Sequence, residues 1–180
     1  MSRRGLSAVG KVVLLFVIGA ILQTLLVSRV SVLGVTADLF LIFTVVVAIS
    51  RGSVEGAIFG FIAGLVADIS YMQPLGIRSL IYVLTGYFVG MVVLRFGAVG
   101  SWAVFLTAIG ASFCSQFVFG VFQFIIGPRA GFFGILGMQI LPEAVLDGLL
   151  AIPVYVLLVH LNILPAPRTQ PPAMTKVESE

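Results

Sequence analysis

Apolar residues run through this chain in long stretches, and polar residues break them only briefly. Residues 12–27, 35–50, 54–69 and 77–94, a stretch within 99–126, and residues 142–160 are each almost wholly apolar. A helix needs about 20 such residues, with a range of roughly 17–25, to cross the hydrocarbon core of a bilayer. The pattern predicts an all-α integral membrane protein, a bundle of six transmembrane helices. The second segment is short and meets Asp38 early, so it is expected to cross as a short, tilted span. The fifth is long, and should tilt or end in an interfacial turn before Gly127 and Pro128. Pro142 suits the first turn of the sixth helix, where its missing N–H costs nothing; Pro153, deeper in, should kink it. The stretch RAGFFGILGM at 129–138 is too apolar for a free loop and too short to span, which predicts an interfacial or re-entrant piece.

The third segment carries a second pattern. Gly56, Gly60 and Gly64 fall four residues apart, and Asp68 continues the series, so a helix places all of them on nearly one face. Gly86 and Gly90 form a similar pair in the fourth. Each interior Gly costs a helix roughly 1 kcal/mol against Ala. In lipid, where apolar burial does not drive helices together, such small residues let backbones approach closely instead. These five glycines are the predicted helix-packing face.

Composition agrees with a lipid solvent. The chain is 60% hydrophobic and 9% charged, against ~25% charged in ordinary soluble domains. The formal net charge of +3 sits mostly at the ends and in turns, a distribution that orients a membrane protein and gives no reason to expect nucleic acid. With the N-terminus inside, seven basic residues (Arg3, Arg4, Lys11, Arg51, Arg95, Arg168, Lys176) face the cytoplasm and three (Arg29, Arg78, Arg129) face outward. That asymmetry predicts cytoplasmic N- and C-termini. Residues 1–11 read as a basic cytoplasmic N-terminus. No small-x-small cleavage site follows them, so the first segment reads as a retained span. Residues 12–161 read as the six-span membrane domain. Residues 162–180, with Pro165, Pro167, Pro171 and Pro172 among polar residues, read as a disordered cytoplasmic tail.

Under this topology the acidic residues collect toward the outer side. Asp38 opens the second helix, Asp68 ends the third, and Glu143 and Asp147 lie one turn apart near the start of the sixth. Arg78 begins the fourth. A charge at membrane depth costs at least ~2.5–3.5 kcal/mol, so these five should face inward, a cavity or headgroups. They are the candidate outer polar cluster or partner-binding residues. A salt bridge between Asp68 and Arg78 would close the hairpin between the third and fourth helices. Ser112, Gln116 and Gln123 add a polar stripe to the fifth, read as interhelical glue. Tyr71, Tyr155 and Trp102 fit interfacial anchoring.

Catalytic chemistry finds no foothold in the sequence. One His and one Cys cannot build an ordinary zinc site. G-x-S-x-G, P-loop and H-E-x-x-H motifs are missing. The reading is therefore of a non-enzyme with no cofactor, no metal and no catalytic residue.

The block GFIAGLVADISYMQPLGIRSL, residues 60–80, resembles the signature of the MreD family, bacterial rod shape-determining membrane proteins. Gly60, Gly64, Asp68, Leu75, Gly76, Leu80, Gly86, Tyr87 and Gly90 carry the resemblance, and GVTADLFLIF looks like the family's short second helix with Asp38 in its polar place. Tyr71, Met72 and Gln73 depart from the family's small-residue loop. The resemblance implies a scaffold of cell-wall elongation in the bacterial cell membrane, with MreC as partner within a complex of MreB, RodA and a class B penicillin-binding protein that builds peptidoglycan. It also implies a fold similar to the six-helix substrate-binding components of energy-coupling-factor transporters, which makes vitamin uptake the alternative. A pocket for that role would draw on Gln116, Gln123, Tyr82 and Trp102. A third reading, a lipid-linked precursor flippase, would use Glu143 and Asp147.

Overall fold

In a computed structural model of the chain, residues 17, 19, 21, 23, 36–71, 75–96, 101–126 and 140–160 are described. They form five helices, with no strand among the described residues: α1 (Leu39–Arg51), α2 (Ser53–Ser70), α3 (Ile77–Phe96), α4 (Ser101–Ile126) and α5 (Leu141–His160). Four of these, α2 to α5, are long and apolar enough to cross a membrane. Val17, Gly19, Ile21 and Gln23 are helical too. The basic N-terminus, most of the expected first span, the 129–138 segment and the Pro-rich tail lie outside the described residues.

The expectation of six full spans needs correction at the second segment. α1 has 13 residues, about 20 Å at 1.5 Å per residue, and a hydrocarbon core is about 30 Å thick. Asp38 is the reason it starts late. Its backbone is extended, and its carboxylate accepts the Leu41 N–H at 3.2 Å, so it caps the helix at a point inside the bundle. At the other end Gly52 takes a φ of +102°, a conformation that favours glycine, and α2 begins at the next residue.

α1 is the centre of the molecule. It packs against α2, α3, α4 and α5. Gly19, from the N-terminal helical residues, lies close against the Phe43 ring, and Gln23 reaches the α1 N-terminus. Eleven of the 13 residues of α1 are buried in consequence. An apolar helix with no polar face is what an entirely enclosed position demands.

The outer helices pair antiparallel. Along α2 and α3, Gly56 faces Gly86, Gly60 faces the Tyr82 carbonyl, Gly64 faces the backbone of Arg78 and Ser79, and Gly90 faces Gly52 and Ser53. A methyl group at Gly60 or Gly64 would land on that opposing backbone. α4 and α5 pair through Gly148, which seats the Ile109 side chain. α4 joins α3 through the Thr85 and Ser115 hydroxyls, 2.6 Å apart. Away from these contacts the surface is apolar: Ile58, Phe61, Leu84, Phe88, Leu106, Val118, Leu149 and Val156 are exposed. Such a surface is a liability in water and ordinary in lipid. α4, at 26 residues, is about 39 Å long, and fits a bilayer by tilting. α5 runs helical through Pro153.

Charges at the end away from Asp38 match helix polarity. Arg51 closes α1, Glu55 lies in the first turn of α2, and Arg95 lies in the last turn of α3. Each sign is the one that the helix dipole favours at that terminus.

Candidate functional site

The buried N-terminus of α1 organises the polar residues. A helix start leaves its first N–H groups without intrahelical partners. Here three elements supply acceptors. Asp38 N–H donates to Asp147 Oδ1 of α5 at 2.9 Å, Leu39 N–H to Gln23 Oε1 at 2.9 Å, and Leu41 N–H to Asp38 Oδ1. Gln23 also donates through Nε2 to the Ala37 carbonyl at 3.2 Å and to the Tyr71 hydroxyl at 2.6 Å. Burial pushes the Tyr71 phenol above its ordinary pKa, which keeps it protonated.

The second Asp38 oxygen faces α3. Arg78 Nη1 donates to it at 2.8 Å, and the Tyr82 hydroxyl donates to the same atom. Arg78 and Tyr82 are one helical turn apart, so α3 presents both to one carboxylate. The guanidinium also donates to the Tyr82 oxygen at 3.2 Å and lies 4.7 Å from the Tyr71 ring centroid and 4.5 Å from that of Phe119. Two aromatic faces around a desolvated cation contribute ~2 kcal/mol or more at favourable geometry.

α4 and α5 extend the network. Ser112 donates to Asp147 Oδ2, and the Gln116 amide donates to Glu143 Oε1. Asp38, Asp147 and Asp68 are 2%, 1% and 0% exposed. Every one of them is hydrogen-bonded, as buried charge requires.

Asp68 stands beside this network and does a different job. The hairpin salt bridge expected between Asp68 and Arg78 is replaced by another arrangement. The Arg78 guanidinium turns to Asp38, and Asp68 accepts the backbone N–H groups of Gly76 (2.7 Å), Arg78 (3.1 Å) and Ser79 (3.5 Å). It thus caps the start of α3 from the end of α2, across a turn in which Gly76 has a φ of +103°. Ser79 adds a bond from its hydroxyl to the Phe61 carbonyl at 3.0 Å.

The structure therefore brings Asp38, Arg78, Glu143 and Asp147 together and sets Asp68 against the backbone next to them. Sequence reasoning missed Gln23 and Phe119, and gave Tyr71 an anchoring role. Nothing in their spacing marks them; a polar Gln in the middle of an apolar run was the one available signal. Gln116 and Tyr82 meet at a crevice with Leu41, Arg78, Ile81, Ser115 and Phe119, while Trp102 is exposed and far along α4 from it. The Gln123 side chain lies outside the described set. The crevice is too tight for water. Among the described residues no three acidic, His or Cys side chains are placed to hold a metal ion.

Searches of curated proteins and of solved structures each found no match. A family model, described as rod shape-determining protein MreD, matches residues 6–162. With that match over most of its length, and with a bundle of apolar helices built around a short capped one, the chain belongs to the MreD family of rod shape-determining membrane proteins.

Proposed function

We propose that this protein is a non-enzymatic membrane scaffold of cell-wall elongation, which maintains rod shape by binding MreC and, within the same complex, MreB, RodA and a class B penicillin-binding protein. The observation that carries the reading is the closed state of the polar network. In transporters, a helix that starts at membrane depth leaves its positive N-terminus open to an anionic substrate. In this chain the α1 N-terminus is already filled by Asp38, Asp147 and Gln23, all from the protein itself. Among the described residues, the network pairs its carboxylates with the protein's own donors and holds the helices in place.

Vitamin uptake through a fold like that of energy-coupling-factor components is the rival. It calls for a pocket of ~300–1,000 Å³, and the crevice beside Arg78 has no room even for a water molecule. The flippase reading asks for an open charged cavity, while Glu143 and Asp147 are engaged by Gln116 and Ser112. Arg51 and Arg95 at the opposite end, with the excess of Lys and Arg that the sequence assigns to the inner side, support a cytoplasmic placement of both termini and an outer placement of the network.

The test is complementation. Rod-shaped cells depleted of their own family member should regain their shape with this chain, and the tagged protein should retain MreC through purification. Restored shape without MreC retention, or retention of ATPase and coupling subunits in its place, would overturn the reading.

A further inference from the structure

Close approach at glycine divides the bundle into two bodies. Gly56, Gly60, Gly64, Gly86 and Gly90 join α2 to α3, and Gly56 also lies against Ala48 of α1. Gly148 of α5 receives Ile109 of α4, and Gly120 of α4 faces Ile140, the residue before α5. No described glycine faces across the seam between α1–α3 on one side and α4–α5 on the other.

The seam is built of side chains, and they pack incompletely. The crevice lined by Leu41, Arg78, Tyr82, Ser115, Gln116 and Phe119 runs along it. A gap too small for water leaves its lining short of dispersion contacts. Side chains can change rotamer and slide past one another, as they do where packed helices shear. Backbone pressed on backbone has no such freedom, so the seam is where this bundle can yield.

The polar ties across the seam are unevenly placed. Asp38 N–H donates to Asp147 at 2.9 Å, the Arg78 guanidinium lies 4.5 Å from the Phe119 ring centroid, and the Thr85 and Ser115 hydroxyls are 2.6 Å apart. Arg78 and Thr85 lie in the first half of α3, Ser115 and Phe119 in the second half of α4, and Asp147 in the first half of α5. All three ties therefore fall in the half of the bundle nearer Asp38. In the other half, Val104 of α4 and Leu158 of α5 are buried in the apolar core. Apolar contact is non-directional and tolerates rolling, whereas a hydrogen bond is lost with a small change of angle.

We propose that the bundle is a hinged device. The α4–α5 hairpin swings as one body against α1–α3, pivoting on the apolar half, and the Asp38–Asp147 bond with the Arg78–Phe119 contact is the latch at the other end. The inference concerns the bundle itself and goes beyond the scaffold reading. Opening would widen the crevice, and a partner that prefers one of the two states would shift the balance between them.

The experiment measures distances between paired spin labels on the purified protein in lipid bilayers, with Cys114→Ala as background. One pair, at Leu75→Cys and Leu141→Cys, spans the seam; the control pair, at Leu75→Cys and Val54→Cys, stays within one body, and all three positions are exposed. The expected result is a second, longer distance for the first pair and a single distance for the control. Asp147→Ala should raise the longer population at least two-fold, and so should the milder Phe119→Leu, which carries the test if Asp147→Ala does not fold. A disulfide between Thr85→Cys and Ser115→Cys should abolish the longer population. One between Ile109→Cys and Gly148→Cys, within the hairpin, should leave it. A single distance that neither latch substitution changes, a longer population that survives the 85–115 disulfide, or the same broadening in the control pair would each overturn the proposal.

Discussion

At the scale of single residues, Arg78 is the side chain on which most depends. It joins α3 to the cap of α1, and its guanidinium fills the space between Tyr71 and Phe119. Removing one partner of a buried pair leaves an uncompensated charge and costs ~3–5 kcal/mol. Arg78→Met should therefore lose stability on that order in detergent unfolding, and Asp38→Asn added to it should recover most of the loss, because Asn still caps a helix. Asp68 acts locally. Asp68→Ala removes the acceptor for the start of α3 and should cost ~1–2 kcal/mol, with Asp68→Asn closer to wild type in the same measurement. The acidic residues were legible in the sequence as a group, because charge in an apolar chain must converge on something. Their partners were not. Asp68 and Arg78 are ten positions apart with a turn between, and proximity along the chain pointed to an ion pair that the three-dimensional path gave to Asp38.

At the scale of elements, the α2–α3 pair is held by glycines that have no room to become anything else. A methyl at Gly60 would meet the Tyr82 carbonyl, and one at Gly64 the Ser79 backbone. Backbone cannot step aside as a flexible side chain can, so Gly60→Ala or Gly64→Ala should destabilise by ~1–3 kcal/mol through overpacking. Gly110 on α4 is the internal contrast. Open space surrounds it, and Gly110→Ala should be neutral or stabilise by up to about 1 kcal/mol through helix propensity. Thermal unfolding in one detergent can rank all three. The four-residue glycine spacing could be read directly from the chain, since it needs only helical periodicity. The placement of α1 could not. Leu, Ile, Val and Phe look the same whether they meet lipid or protein, so an apolar segment carries no mark of being enclosed on all sides.

At the scale of the whole molecule, the arrangement is an apolar exterior around a short central helix with a charged cap. Of the six spans read from hydropathy, four are long apolar helices among the described residues; the depth at which α1 begins needed Asp38 to be recognised as an interior cap. The enclosure of α1 has a direct consequence. A cysteine placed at Val46, which is buried, should resist a membrane-permeant maleimide, while one at Val54, exposed in the first turn of α2 where water can ionise the thiol, should react readily. Comparable reactivity at the two positions would mean that α1 lies at the periphery of the bundle.

The most direct test of the account is the double substitution Asp38→Asn with Arg78→Met. It removes both charges while keeping a helix cap and a long side chain between the two aromatic rings. If the network is structural, the doubly substituted protein inserts, folds and restores rod shape to depleted cells. A protein that inserts and folds as well as wild type but leaves the cells round would contradict the account, because charge at that position would then be serving chemistry or a ligand.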